Sequence, residues 1–181
     1  MSLIVGYASK EKSIIMSDGR AGGEKHTENC DKTIKISNHT IAGFVGYLEE
    51  VQFILSRLKY EHIKNSEDFV DHIEWLLSEK PKDAPFVSDF AIIGYDNDKK
   101  LCTYFIGYLT GYKKQKHIVE ENNPRVLCMG GTIPESIIQN IFDQNVTNRA
   151  IPVEERLKNT IISVSREDES VNENCFLKFL P

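Results

Sequence analysis

One residue near the start of the chain could act as a nucleophile without a separate catalytic base. Ser2 becomes the first residue if Met1 is removed, and serine is small enough to favour that removal. An N-terminal hydroxyl residue can attack a carbonyl while its own α-amino group accepts the proton. The pKa of such an amine is about 7.7–8.0, so a sizeable neutral fraction exists near neutral pH. The alternative is that Met1-Ser2-Leu3 is an artificial start and that another residue, such as threonine, stands there in nature.

The other residue types with catalytic or metal-binding chemistry carry no recognisable motif. No HExxH is present, and the histidines lack metal-like spacing: His26, His39, His62, His72 and His117. The cysteines form no CxxC pair and are interpreted as free, mostly buried thiols: Cys30, Cys102, Cys128 and Cys175. Gly19, Gly22 and Gly23 are not followed by the GKS or GKT of a phosphate-binding loop. We therefore expect neither a metal nor a cofactor.

The composition is that of an ordinary globular chain. Apolar residues make up 40% of the 181 residues and charged residues 27%, with a net charge of −5. This length suits a single domain, residues 1–181. The one basic run, residues 113–117, is short and favours a solvated strand edge over nucleic-acid binding. No apolar stretch approaches the ~20 residues of a membrane span, and the N-terminus lacks a signal-peptide pattern. We expect a cytoplasmic protein with no membrane partner.

The elements that must position these residues come in groups. Short apolar runs predict strands at residues 3–8 and 13–17, and runs rich in β-branched residues predict strands at 33–37 and 40–45. A helical period predicts two helices between residues 51 and 79, with Ser66 as an N-cap and Pro81 and Pro85 ending the second. Strands return at residues 90–95, 101–106, 112–119 and 125–129.

Two more helices lie between residues 133 and 170, the first with Thr132 and Glu135 in a capping box and Pro134 in its first turn. A strand at 175–180 closes the chain. Paired helices and grouped strands argue against a parallel sheet, which alternates one strand with one helix. The order predicts an α+β fold: two packed antiparallel sheets flanked by helix pairs, a four-layer αββα sandwich.

Four segments of the first 46 residues occur in a characteristic order: SLIVG at 2–6, IIMSDGRA at 14–21, NCDKTIKI at 29–36 and TIAGFVG at 40–46. Together they resemble proteasome β-subunits and the bacterial peptidase HslV, members of the N-terminal nucleophile (Ntn) hydrolase family. The element order extends the resemblance over the whole chain. It implies a peptidase or amidase of the threonine-type peptidase family, with serine where the peptidase subunits carry threonine.

The resemblance implies a catalytic role for several residues besides Ser2. Lys32 matches the lysine whose cation eases alkoxide formation, and Asp18 matches the acid that keeps it charged and oriented. Gly43 matches the glycine whose backbone N–H helps form the oxyanion hole, a donor worth roughly 3 kcal/mol of barrier. Ser170 matches the serine of an acid-x-x-Ser element near the amino group, with Glu167 as the acid by spacing or Asp168 by side chain. The implied specificity pocket is small or apolar: Ala21, Cys30, Ile41 and Val45.

Each of these residues also has a purely structural interpretation. Asp18 could sit in a strand-end turn, Lys32 could be a solvated charge and Gly43 a packing or bulge glycine. Ser170 could merely lie in the loop before the last strand.

Two functions remain open at this point. The resemblance implies a peptide or protein substrate, a homo-oligomeric ring and a possible ring-shaped ATPase partner. The alternative is a catalytically inactive, proteasome-like scaffold or assembly protein. That alternative is favoured by the segment Gly130-Gly131-Thr132, which lacks the serine of the family's glycine-serine-glycine segment.

Overall fold

The computed structural model describes residues 2–21, 27–79 and 87–180 and contains two antiparallel sheets. Pro81 and Pro85, which were expected to end the second helix, lie outside the described residues, as do Gly22, Gly23 and His26. The first sheet has the order β8-β1-β2-β9: β1 Leu3–Ala8, β2 Ser13–Asp18, β8 Arg125–Gly130 and β9 Cys175–Leu180. The second has the order β3-β4-β5-β6-β7: β3 Thr33–Ser37, β4 Thr40–Val45, β5 Asp89–Tyr95, β6 Leu101–Gly107 and β7 Gln115–Ile118.

Four α-helices cover the outer faces of the sheets. They are α1 Leu48–Arg57, α2 Ser66–Ser78, α3 Glu135–Val146 and α4 Val153–Ser165. A short 3-10 helix, Tyr60–His62, lies between α1 and α2. Helices α1 and α2 share one apolar cluster with the five-stranded sheet, and α3 and α4 share another with the four-stranded sheet. The predicted αββα sandwich is therefore confirmed.

A third apolar cluster lies between the two sheets, and the period of two along each strand explains how the layers form. On β1, Leu3 and Val5 pack under α3 and α4, while Ile4 faces the second sheet. All six residues of β4 are buried because helices cover one of its faces and the first sheet covers the other. This central layer brings the start of β1 close to the end of β4.

Two predicted caps are wrong, and both errors concern polar residues that have other partners. The N-cap of α2 is Asn65, whose side chain accepts from the N–H groups of Glu67 and Asp68, while the Ser66 hydroxyl donates to the Tyr95 carbonyl at 2.8 Å. Helix α3 has Pro134 as its N-cap residue, without a side-chain cap. The capping box is absent because the Thr132 hydroxyl donates to a carboxylate elsewhere, described below.

Strand β7 is shorter than predicted. It spans Gln115–Ile118 instead of residues 112–119, because Gly111 and Tyr112 form a turn with φ angles of 61° and 64°. The left-handed region interrupts an extended chain. The cysteines are all free, and only Cys102 is fully buried, whereas the other three are half-buried.

Candidate active site

Ser2 lies immediately before β1, at the edge of the layer between the sheets. Its carbonyl accepts a hydrogen bond from the N–H of Gly131 at 2.9 Å, and its hydroxyl donates to the carbonyl of Arg20 at 3.3 Å. Gly130 and Gly131 have φ angles of +103° and +86°, a region that favours glycine. A Cβ on Gly130 would lie 1.9 Å from the Ser2 carbonyl oxygen. The two glycines at the end of β8 therefore let the backbone pass directly against Ser2.

Asp18 and Lys32 form a buried ion pair next to Ser2. Asp18 ends β2 and Lys32 immediately precedes β3, and their side chains are 0% and 3% exposed. The Lys32 ammonium donates to Asp18 Oδ1 at 2.8 Å and also to the carbonyl of Arg20. Burial lowers the pKa of Lys32, and the attraction of Asp18 offsets this only in part. The cation is therefore held in place by its neighbours and poorly solvated.

The Arg20 carbonyl brings the hydroxyl and the ammonium together. It accepts from both Ser2 Oγ and Lys32 Nζ. A fixed cation beside a hydroxyl stabilises the alkoxide that forms when the proton leaves. The structure thus places Ser2, Asp18 and Lys32 in one hydrogen-bonded group, as a nucleophile, an orienting acid and a cation would require.

Asp18 also anchors three parts of the backbone around this group. Its Oδ1 accepts from the N–H of Leu3 at 2.9 Å, and its Oδ2 accepts from the N–H groups of Arg20 at 3.0 Å and Asn172 at 3.4 Å. The Asn172 side chain in turn accepts from the N–H of Gly19 at 2.8 Å. The start of β1, the end of β2 and the segment before β9 are therefore held together at one carboxylate.

A second buried carboxylate, Asp168, lies on the other side of the Gly130-Gly131 turn. Its Oδ1 accepts from the hydroxyls of Thr132 and Ser170, both at 2.6 Å. Burial pushes the pKa of Asp168 upward, but the hydrogen bonds from Ser170 and Thr132 outweigh it and leave the pKa well below its ordinary value. Asp168, which is 1% exposed, is the acid that contacts Ser170, whereas Glu167 is exposed. The spacing that favoured Glu167 is not matched, because the turn that ends α4 directs Asp168 inward.

The Gly130-Gly131 turn gives a structural reason for glycine rather than serine at position 131. A Cβ on Gly131 would lie 2.4 Å from Ile138 of α3 and 3.1 Å from Asp168. Any side chain at this position would also adopt a strained backbone angle. The hydroxyl of Thr132, one residue further on, donates to Asp168.

Gly43 lies in the interior of β4. It pairs with Thr33 on one side and Ala91 on the other, and a Cβ there would come within 2.9 Å of the side chains of both Ile4 and Ile15. The close approach of the first sheet is a structural reason for glycine at this position. Its proposed role as an oxyanion donor stays a prediction.

The four predicted pocket residues do not form one group. Val45 lines a cavity of about 770 Å³ that also contains Ser2. Ile41 is fully buried in the core between the sheets, four residues deeper along β4. Ala21 pairs with Thr27, and Cys30 donates its N–H to the Gly19 carbonyl, so both belong to the loop between β2 and β3. Direct substrate contact by Ala21, Cys30 and Ile41 stays a prediction.

Several residues of the site have no clear signal in the sequence. Arg20 acts through its carbonyl, which no side-chain pattern reveals, and Asn172 is one polar residue in a polar segment. Thr132 was assigned to a helix cap because of its spacing to Glu135. Asp89, which lines the same cavity as Ser2, immediately precedes the predicted strand 90–95, and a buried acid is unusual there.

The part of the chain that the structure describes holds neither a cluster of metal ligands nor a membrane-spanning helix. Within residues 2–21, 27–79 and 87–180, no group of three or more His, Cys, Asp or Glu side chains could hold a metal ion. In the same ranges, no helix is both long and apolar enough to cross a membrane.

Comparison with known proteins agrees with the fold. Residues 2–118 match the family model described as proteasome subunit. The crystal structure of eukaryotic HslV from Trypanosoma brucei superposes with a TM-score of 0.69 and 9% identity, over 98% of this chain and 98% of that chain. A search of curated proteins gave no match. The chain therefore shares the fold of that HslV over nearly its whole length.

Proposed function

Because the chain belongs to the proteasome subunit family, we propose that it is an N-terminal nucleophile peptidase or amidase whose nucleophile is Ser2. The family and the fold support a peptidase. The observation that carries the choice of Ser2 is the meeting of its hydroxyl with the Lys32 ammonium at the Arg20 carbonyl, above the buried Asp18. We propose that residues 1–181 form a single catalytic domain.

The proposed reaction begins once Met1 has been removed. The free α-amine of Ser2 takes the proton of its hydroxyl, and Oγ attacks the carbonyl carbon of a peptide or amide. Lys32 stabilises the negative charge on Oγ. The oxyanion is expected to accept from a backbone N–H at the end of β4, where Gly46 rather than the interior Gly43 lines the cavity. The amine then returns its proton to the departing nitrogen, which leaves as a neutral amine. Water attacks the Ser2 ester with the same amine as base, and the acid product leaves.

Asp168 and its hydroxyl partners are proposed to hold the Gly130-Gly131 turn against Ser2. Asp168 accepts from the Thr132 hydroxyl, and the N–H of the neighbouring Gly131 donates to the Ser2 carbonyl. The Thr132 hydroxyl donates to the Asp168 carboxylate, the group to which a serine at position 131 would lie close. This arrangement answers the objection that the family's serine is missing.

The assembly and location are proposed from the family. We propose a homo-oligomeric ring that acts on peptide or protein substrates in the cytoplasm, with a ring-shaped ATPase as a possible partner. The helix pair α1 and α2 exposes apolar side chains suited to contacts between subunits, among them Phe53 at 39% and Trp75 at 56%.

Peptide hydrolysis by three proteins tests the proposal. The parent protein is expected to cleave fluorogenic peptide amides, Ser2→Ala to lose the activity and Lys32→Ala to reduce kcat/KM by roughly 10²- to 10³-fold. An inactive scaffold predicts the reverse pattern: no hydrolysis by the parent, and both variants retaining its biological activity. An active parent whose Ser2→Ala variant is equally active would refute Ser2 as the nucleophile.

A further inference from the structure

The cavity at Ser2 continues past the nucleophile to a buried acid. Asp89 is the first residue of β5 and pairs with Val45 of β4 and with Gly107 of β6. Directly paired residues point to the same face of a sheet, so Asp89 shares the face of Val45 that is turned toward the first sheet. Asp89, Val45 and Ser2 all line the same cavity. An acid is thus placed beside one of the predicted specificity residues.

Asp89 has no cation of its own. It is 6% exposed, and its Oδ1 accepts from the N–H of Leu109 at 2.8 Å. Among the residues that the structure describes, no basic side chain forms an ion pair with it within 4.0 Å. Burial raises the pKa of Asp89, and the Leu109 hydrogen bond offsets this only in part. A buried carboxylate without a cation destabilises a fold, and an asparagine could hold Leu109 equally well.

The walls of the cavity suit a long side chain with a positive end. The described lining residues include the acids Asp89 and Glu135 and no lysine, arginine or histidine. Phe105, Tyr108 and Leu109 supply apolar walls. Gly107 leaves room for the carboxylate, because a Cβ there would lie 2.7 Å from Asp89 Oδ1. Lysine and arginine carry an apolar stem and a charged head, which fits apolar walls that end at an acid.

We propose that this cavity binds a basic side chain of the substrate and that Asp89 pairs with its cation. The inference rests on the proposed peptidase function and gives it a substrate class: peptides with lysine or arginine near the scissile bond. It differs from the small or apolar specificity pocket that the resemblance implies at Val45 and its predicted neighbours. Val45 and the aromatic walls contact the stem, and Asp89 selects the charge.

A peptide scan tests the preference directly. Acetylated fluorogenic peptides carry either lysine or norleucine, which keeps the stem and lacks the ammonium, at each position in turn. At one position the parent protein is expected to cleave the lysine peptide with a kcat/KM about tenfold higher or more, and the arginine peptide likewise. In Asp89→Asn the ratio is expected to fall to about one. A parent that never prefers lysine overturns the proposal, as does an Asp89→Asn variant that keeps the ratio.

A matched control and a binding measurement separate this proposal from the proposed function. Asp98→Asn makes the same change at an exposed position in the turn at the far end of the β5–β6 hairpin and is expected to keep the parent's ratio. Calorimetry on Ser2→Ala, with and without Asp89→Asn, measures the same preference without hydrolysis. Binding that prefers lysine together with an inactive parent refutes the catalysis alone. Hydrolysis without the preference refutes the pocket alone, and absence of both overturns both.

Discussion

Replacing Lys32 with methionine removes the cation of the buried pair while keeping most of the side-chain volume. The two side chains are 3% and 0% exposed, so water cannot take the place of the ammonium beside Asp18. Removing one partner of a buried ion pair costs about 3–5 kcal/mol of stability. Backbone N–H groups of Leu3, Arg20 and Asn172 still bond to the carboxylate. We therefore expect the lower end, a loss of about 3 kcal/mol.

Urea unfolding followed by circular dichroism measures this loss, with all proteins at one concentration because assembly shifts apparent stability. The double variant Lys32→Met/Asp18→Asn is the control, since it removes both charges. Its loss is expected to fall short of the sum of the two single losses by about 1–3 kcal/mol. A Lys32→Met variant that loses less than about 1 kcal/mol, or strictly additive losses, would refute a tightly coupled buried pair.

Three further predictions concern other parts of the site. Gly43→Ala is expected to lower the free energy of unfolding by about 1–3 kcal/mol in urea titrations, because its Cβ overlaps isoleucine side chains of the first sheet; an unchanged midpoint would contradict this. Thr132→Val removes the hydrogen bond that the Thr132 hydroxyl donates to ionised Asp168. The lowered pKa of Asp168 contributes stability above the pKa of the unfolded chain, about 4, and this stability is lost as pH falls through the pKa of the folded protein. The melting temperature of this variant should therefore drop at pH 7 and approach the parent's in strong acid. Asp89 has a raised pKa, so its ionised form opposes folding as pH rises; Asp89→Asn should melt above the parent at pH 7 and gain little near pH 3.

The fold could be predicted from the sequence because its signals are local and repeated. Short apolar and β-branched runs predicted β1, β4 and β9 with the observed bounds, and the grouping of elements predicted the four layers. The wrong cap predictions concern polar residues that could bond to more than one partner. Asn65 and Ser66 are adjacent and both suit an N-cap, and only the position of Tyr95 decides between them.

The site was predictable only where a side chain itself carries the chemistry. Ser2 is a candidate by its residue type and position, whereas Asp18 and Lys32 become candidates only through the resemblance to the family; the structure brings the three together. The Arg20 carbonyl that joins them belongs to the backbone, which every residue has. Asp89 becomes a candidate only when its strand pairing places it opposite Val45 in the lining of the cavity.

Covalent trapping with mass spectrometry tests the central claim, that Ser2 is an N-terminal nucleophile, most directly. The intact mass of the natural protein first shows whether Met1 has been removed and which residue follows it. A reagent that traps N-terminal nucleophiles is then expected to add one label per chain, mapped to Ser2 by peptide sequencing and absent from Ser2→Ala. A protein with a free Ser2 that takes no label, under conditions that modify an active family member, would contradict the account.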